Sequence, residues 1–146
     1  KETFRTRNLP QFQAVTHMYE ERLKACRNML ERYNGNLINA FKKLQDAGVI
    51  EIITCGATHG FLPLMLDRRA QAAQIRVGAA YYTEIFGRKP RGIWLPECAY
   101  TAGVDEILKE QGIRYFFLDA HGILFGKPRP RFGVFAPVIC WLVTLF

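Results

Sequence analysis

The sequence predicts an α/β protein built on parallel strands. Three observations carry this: helical and strand-like segments alternate, the strand-like runs are short and apolar, and each run ends in a polar cluster. In parallel α/β folds ligands collect at the C-terminal ends of strands. A row of polar clusters in that position therefore places a candidate site as well as a fold.

The elements follow in order. Residues 11–33 carry Val15, Met18, Leu23, Cys26, Met29 and Leu30 at helical spacing, with Glu20, Glu21, Arg22, Lys24 and Arg27 largely between them. Asn34-Gly35 breaks this helix. Asn36 is placed to cap a second helix over residues 37–47, and Gly48 stands where a helix C-terminus favours glycine. Residues 49–54 form a β-branched run that suits a buried parallel strand. A loop over residues 56–63 leads to a helix over residues 67–86, which Gly87 and Pro90 end.

A second strand is predicted at residues 92–95, closed by Pro96, and a short helix at residues 103–110, ended by Gly112. Residues 113–118 read as a third strand. Glycine, proline and arginine crowd the stretch after Asp119, which predicts a loop, with a fourth strand over residues 134–139. No internal repeat, low-complexity segment or interdomain linker is visible. No glycine-rich phosphate loop follows a strand, so the sequence carries no nucleotide-binding fingerprint.

Composition narrows the function classes. The chain has 146 residues, about one domain's length, and a barrel of this length would be incomplete, since barrels run to roughly 200 residues or more. Net charge is +7, but the basic residues are scattered, which argues against a nucleic-acid partner. Lys127, Arg129 and Arg131 cluster among prolines and read as a solvated loop, with an anion or sugar hydroxyls as the alternative. The four cysteines include no CxxC pair and read as free buried thiols in a reducing cytoplasm. The longest apolar run, residues 134–146, is shorter than the ~20 residues of a spanning helix, and no secretory signal opens the chain.

The strand ends deliver His59, Glu97, Asp119 and His121 to one rim, with Trp94 and Tyr100 beside them. Two carboxylates with aromatic platforms suit sugar chemistry, in which one carboxyl attacks or stabilises the anomeric carbon and the other donates a proton. Imidazoles hydrogen-bond sugar hydroxyls. A two-histidine, one-carboxylate metal site from His59, Asp119 and His121 is the rival, and it requires residues 119–121 to stay extended. The plainer alternatives are a rim salt bridge at Glu97, a turn at His59, a loop cap at Asp119, and core packing for the mid-strand Trp94.

The residues also carry a family resemblance. EIITCGATHGFLPLM at 51–65 resembles the second signature region of glycoside hydrolase family 57, and its ATHG is similar to the family's branching enzymes. GIWLPECAY at 92–100 resembles the third region, which holds the nucleophile. YFFLDAHG at 115–122 and PRPRFGVFAP at 128–137 resemble the same subgroup. The resemblance implies a (β/α)7 barrel, here incomplete, and retaining 1,4-α-glucan branching chemistry with no metal and no cofactor. It implies Glu97 as nucleophile and His59 in the subsite of the reacting sugar, with Trp94, Tyr100, Asp119 and His121 lining the cleft. The implied partner is an α-glucan such as glycogen, amylose or starch, with no membrane. A family-57 α-amylase, a 4-α-glucanotransferase, or an inactive glucan-binding remnant are the alternatives.

Two of the family's regions have no counterpart in this sequence. Nothing in residues 1–10 is like the first, and the fourth, which carries the acid/base Asp, is not reached. The tail at 141–146 is unlike the family's continuation. The expectation is that residues 1–146 form part of a catalytic domain, and that these residues alone have little or no activity.

Overall fold

The computed structural model describes residues 1–139 and, in backbone, residues 144 and 145. It forms two compact units, residues 1–50 and residues 51–146.

The first unit is helical. Helix α1 spans Glu2–Arg5, α2 spans Pro10–Arg32 and α3 spans Leu37–Asp46. Proline opens α2, where its missing N–H costs nothing. After α2 the chain turns through Asn34 and Gly35, both with positive φ. The Asn36 side chain accepts from the Asn39 N–H at 3.2 Å and caps α3. Gly48 follows at φ +72°, and the Val49 N–H bonds back to the Leu44 carbonyl at 3.0 Å, closing the helix as the sequence predicts.

The second unit holds the sheet. Strands β1 (Thr54–Cys55), β2 (Gly92–Trp94) and β3 (Tyr115–Phe116) pair in parallel. Between them run α4 (Arg68–Phe86) and α5 (Val104–Glu110), and α6 (Ala120–Leu124) follows β3. Asp67 caps α4 by accepting from the Arg69 N–H at 2.8 Å, and Gly87 ends it at φ +72°. Two further strands, β4 (Val138–Ile139) and β5 (Thr144–Leu145), complete the order β1-β2-β3-β5-β4. The core gathers Leu62, Ile75, Ile93, Leu95, Leu108 and Phe116 between the sheet and its helices. Each such side chain contributes roughly 1.5–3 kcal/mol on burial.

Four expectations change, the first being that the strand predicted at 113–118 narrows to Tyr115–Phe116. The strand predicted at 49–54 pairs only at Thr54 and Cys55. The Ile52 carbonyl, two residues before β1, accepts from the Tyr82 hydroxyl of α4 at 2.9 Å. The loop predicted after Asp119 begins with α6, because Ile123 inserts into the core and holds the turn despite Gly122. The fourth strand is shorter than predicted: Gly133–Phe135 is a 3-10 turn, and β4 runs antiparallel to β5, which is the parallel neighbour of β3.

Candidate active site at the ends of β1 and β2

Two loops leave neighbouring strands at the same level of the ladder, where Cys55 pairs with Trp94. The first carries His59 and the second carries Glu97. The His59 Nε2 lies 3.7 Å from Glu97 Oε1, and the two side chains are 54% and 75% exposed. This is longer than a direct hydrogen bond, so the imidazole acts on the carboxylate as a neighbouring dipole or charge. The Glu97 side chain is thus open to a ligand's approach.

The backbone at this point is unusual. His59 has φ +54°, Glu97 φ +57° and Cys98 φ +51°. Left-handed backbone costs a non-glycine residue roughly 1–2 kcal/mol. Residues held this way cluster where function requires a fixed aim. Pro96 begins a 3-10 turn, Pro96–Cys98, that the Cys98 N–H closes on the Leu95 carbonyl at 2.8 Å. The buried Leu95 and Pro96 anchor this turn from below, and Glu97 projects from its crest.

The His59 loop is held from three directions. The His59 N–H bonds to the Gly56 carbonyl at 3.0 Å. The Cys55 Sγ stands 3.0 Å from His59 Nδ1. Gln74 on α4 clamps the intervening residues. Its carbonyl accepts from the Ala57 N–H at 3.0 Å, its Oε1 from the Thr58 N–H at 2.9 Å, and its Nε2 donates to the Thr58 hydroxyl at 2.8 Å. Neither Cys55 nor Gln74 stands out in the sequence as a site residue. The available signal for Cys55 was its four-residue separation from His59 across a glycine; Gln74 had none, since it looks like any polar residue on an amphipathic helix.

Trp94 is 41% exposed, with its ring 5.9 Å from that of Phe117. It is therefore not a core residue, because it is the last residue of β2 and turns away from the buried face. The Tyr100 hydroxyl donates to Asp105 Oδ1 at 3.1 Å and its ring stacks on Phe116 at 5.6 Å. Its outer face lines a cavity of about 590 Å³ with Leu118, Ile123, Lys127, Arg129 and Val138. Lys127 and Arg129 are exposed on a loop, as expected, and also border this cavity.

Burial, and then the negative charges of Asp119 and Glu97, push the Cys98 thiol up. His121 is exposed on α6. The extended geometry that the metal reading required at residues 119–121 is replaced by a helix start, where residues two apart do not face each other. Among the described residues no three His, Cys, Asp or Glu side chains come together at metal-binding spacing.

The cysteines also depart from expectation in their burial. All three described cysteines are free thiols as expected, but Cys26 on α2 is exposed and Cys55 and Cys98 are only half-buried. Cys140 lies outside the described residues. Among the described residues no helix is long and apolar enough to cross a membrane.

Comparison with known proteins identifies the family. The model of glycosyl hydrolase family 57 matches residues 3–139. A 1,4-alpha-glucan branching enzyme of Thermococcus kodakarensis is 42% identical over 115 residues, covering 68% of this chain and 17% of that protein. Among solved structures, an alpha-amylase of Thermotoga maritima superposes with a TM-score of 0.86 at 38% identity, covering 99% of this chain and 29% of that one. The branching enzyme of Pyrococcus horikoshii gives a TM-score of 0.79 at 32% identity, covering 92% of this chain and 28% of that one. The chain spans less than a third of the length of each of these relatives. With the α/β fold and the family model in agreement over nearly the whole sequence, the chain belongs to glycosyl hydrolase family 57.

Proposed function

We propose that this chain supplies the nucleophile side of the catalytic cleft of a retaining 1,4-α-glucan branching enzyme, with its strands forming part of a (β/α)7 barrel. The observation that carries the reading is the His59–Glu97 pair, set 3.7 Å apart on left-handed backbone at adjacent strand ends. The likeness to branching enzymes supports the choice of product.

In this reading Glu97 attacks the anomeric carbon of an α-1,4-linked glucose. The bond to the leaving oxygen breaks, and that oxygen takes a proton from an acid contributed by a segment outside this sequence. A covalent glycosyl ester on Glu97 results. The 6-hydroxyl of a second glucan chain then attacks the same carbon, loses its proton to the same group, and releases the carboxylate with an α-1,6 branch formed. His59 supports the ionised carboxylate through its N–H dipole and hydrogen-bonds the sugar. Trp94 and Tyr100 offer aromatic faces to pyranose rings. The free thiols suit a reducing compartment, and we assign the reaction to the cytoplasm.

The close superposition on an alpha-amylase favours a second reading, hydrolysis of the same glycosyl ester by water. Incubating the intact protein with amylose and reading the linkages by proton NMR separates the two. New α-1,6 signals support branching, and new reducing ends without them support hydrolysis. Glu97→Gln is expected to lower either activity by on the order of 10³-fold or more, as removal of a nucleophile does. Full activity in that variant would sink the assignment.

A further inference from the structure

We propose that Cys55 is a positioning residue for this site: its thiol donates to His59 Nδ1 and holds the neutral imidazole in the tautomer that carries its proton on Nε2, toward Glu97. The proposal rests on the reading of Glu97 and His59 as site residues, and it adds a group that orients one of them.

The geometry comes from two fixed points. Cys55 is the last residue of β1, so its Cα is set by the ladder opposite Trp94. His59 is set by the turn that its N–H closes on Gly56, with φ +54°. The Sγ and Nδ1 atoms then meet at 3.0 Å while Nε2 faces the Glu97 carboxylate at 3.7 Å. One ring thus spans a thiol and a carboxylate through its two different nitrogens.

The chemistry of the two neighbours decides where the ring proton sits. Burial pushes the Cys55 thiol up, and the opposing hydrogen bond from the Gly56 backbone is the smaller effect. At neutral pH the sulfur therefore keeps its proton and has one to give. A carboxylate has only lone pairs to offer. The arrangement that satisfies both places the acceptor nitrogen at Cys55 and the N–H at Glu97. The reverse tautomer would aim two lone pairs at each other across the 3.7 Å gap.

The test uses the intact protein with ¹⁵N-labelled histidine rings, His59 being assigned by its loss in His59→Asn. Long-range proton–nitrogen correlation spectra are expected to show a bare Nδ1 and a protonated Nε2 in the wild type. Cys55→Ser keeps a donor and should keep that pattern. Cys55→Ala should mix the tautomers and lower kcat by about 5- to 10-fold, the worth of one hydrogen bond, with KM nearly unchanged. Serine should restore kcat where alanine does not. A wild-type spectrum with the proton on Nδ1, or an alanine variant with the wild-type pattern, overturns the proposal. If the spectra behave as expected while the wild type leaves α-glucans untouched, the positioning role stands and the functional reading falls.

Discussion

Gly78 presses its bare Cα against the Cys55 carbonyl, so closely that a Cβ there would lie 2.1 Å from the oxygen. The contact is backbone against backbone, with no flexible side chain to give way. On the same turn, the Thr54 hydroxyl donates to the Gly78 carbonyl at 3.0 Å. Gly78→Ala must therefore push α4 away from β1. Alanine's helix propensity returns up to about 1 kcal/mol, against an overpacking cost of about 1–3 kcal/mol. A net loss of stability is expected, read as a lower urea midpoint with an unchanged slope.

Gln74 reaches the candidate site without being part of it. Gln74→Ala deletes the two side-chain bonds to Thr58 and leaves the backbone bond to Ala57. The loop carrying His59 is then held to Gln74 by one bond in place of three. A misplacement of about 1 Å in a reacting group can cost ~10²-fold, so kcat of the intact protein should fall by roughly 10- to 100-fold while circular dichroism stays unchanged. Gln74→Glu keeps the acceptor for the Thr58 N–H and loses the donor to its hydroxyl, and should fall between the two.

Alkaline pH should weaken the sheet through Tyr115. Burial first, then its hydrogen bond to the Glu51 carboxylate, pushes this phenol from its ordinary 10.0 up to about 12. The bond is 2.9 Å long, and Arg91 lies 3.5 Å from the other oxygen of Glu51. Because the folded pKa is the higher one, the folded state retains a proton that the unfolded state has lost between pH 10 and pH 12. The contribution is thus fully present below pH 10 and disappears as pH rises through about 12. Unfolding midpoints should decline across that window. Glu51→Gln should flatten the decline, and phenolate absorbance should then rise at lower pH.

Alkylation should separate the thiols. Cys26 is exposed, whereas burial pushes the Cys55 and Cys98 thiols up, Cys98 further through the charges of Asp119 and Glu97. Since the thiolate is the nucleophile, mass-mapped iodoacetamide labelling at neutral pH should mark Cys26 ahead of Cys55 and Cys98. Labelling of Cys98 should speed up in Glu97→Gln, which removes one of the opposing charges.

Much of this arrangement was legible in the sequence because local chemistry controls it. Asn36, Asp67, Gly48 and Gly87 mark helix ends through their own side chains or lack of one, and the structure puts those ends within a residue or two. His59 and Glu97 were legible as neighbours because strand ends in a parallel sheet share a rim. What failed was set at longer range. The 49–54 run pairs only where β2 is alongside, which no pattern within the run records. Residues 120–124 turn helical because Ile123 finds the core, which overrides the glycine. Gln74 and Cys55 acquire their roles only when α4 and the β1 loop fold over each other.

The shared rung of Cys55 and Trp94 makes the sheet a ruler. His59 follows Cys55 by four residues and Glu97 follows Trp94 by three, so both side chains are measured from one line across strands about 4.8 Å apart. Any change that tilts or lifts that pair of strands carries imidazole and carboxylate together. Adding or removing a single residue beyond the rung moves one without the other. Loop length, more than core composition, is therefore the adjustable dimension for anyone wishing to retune this centre, or for divergence among its relatives.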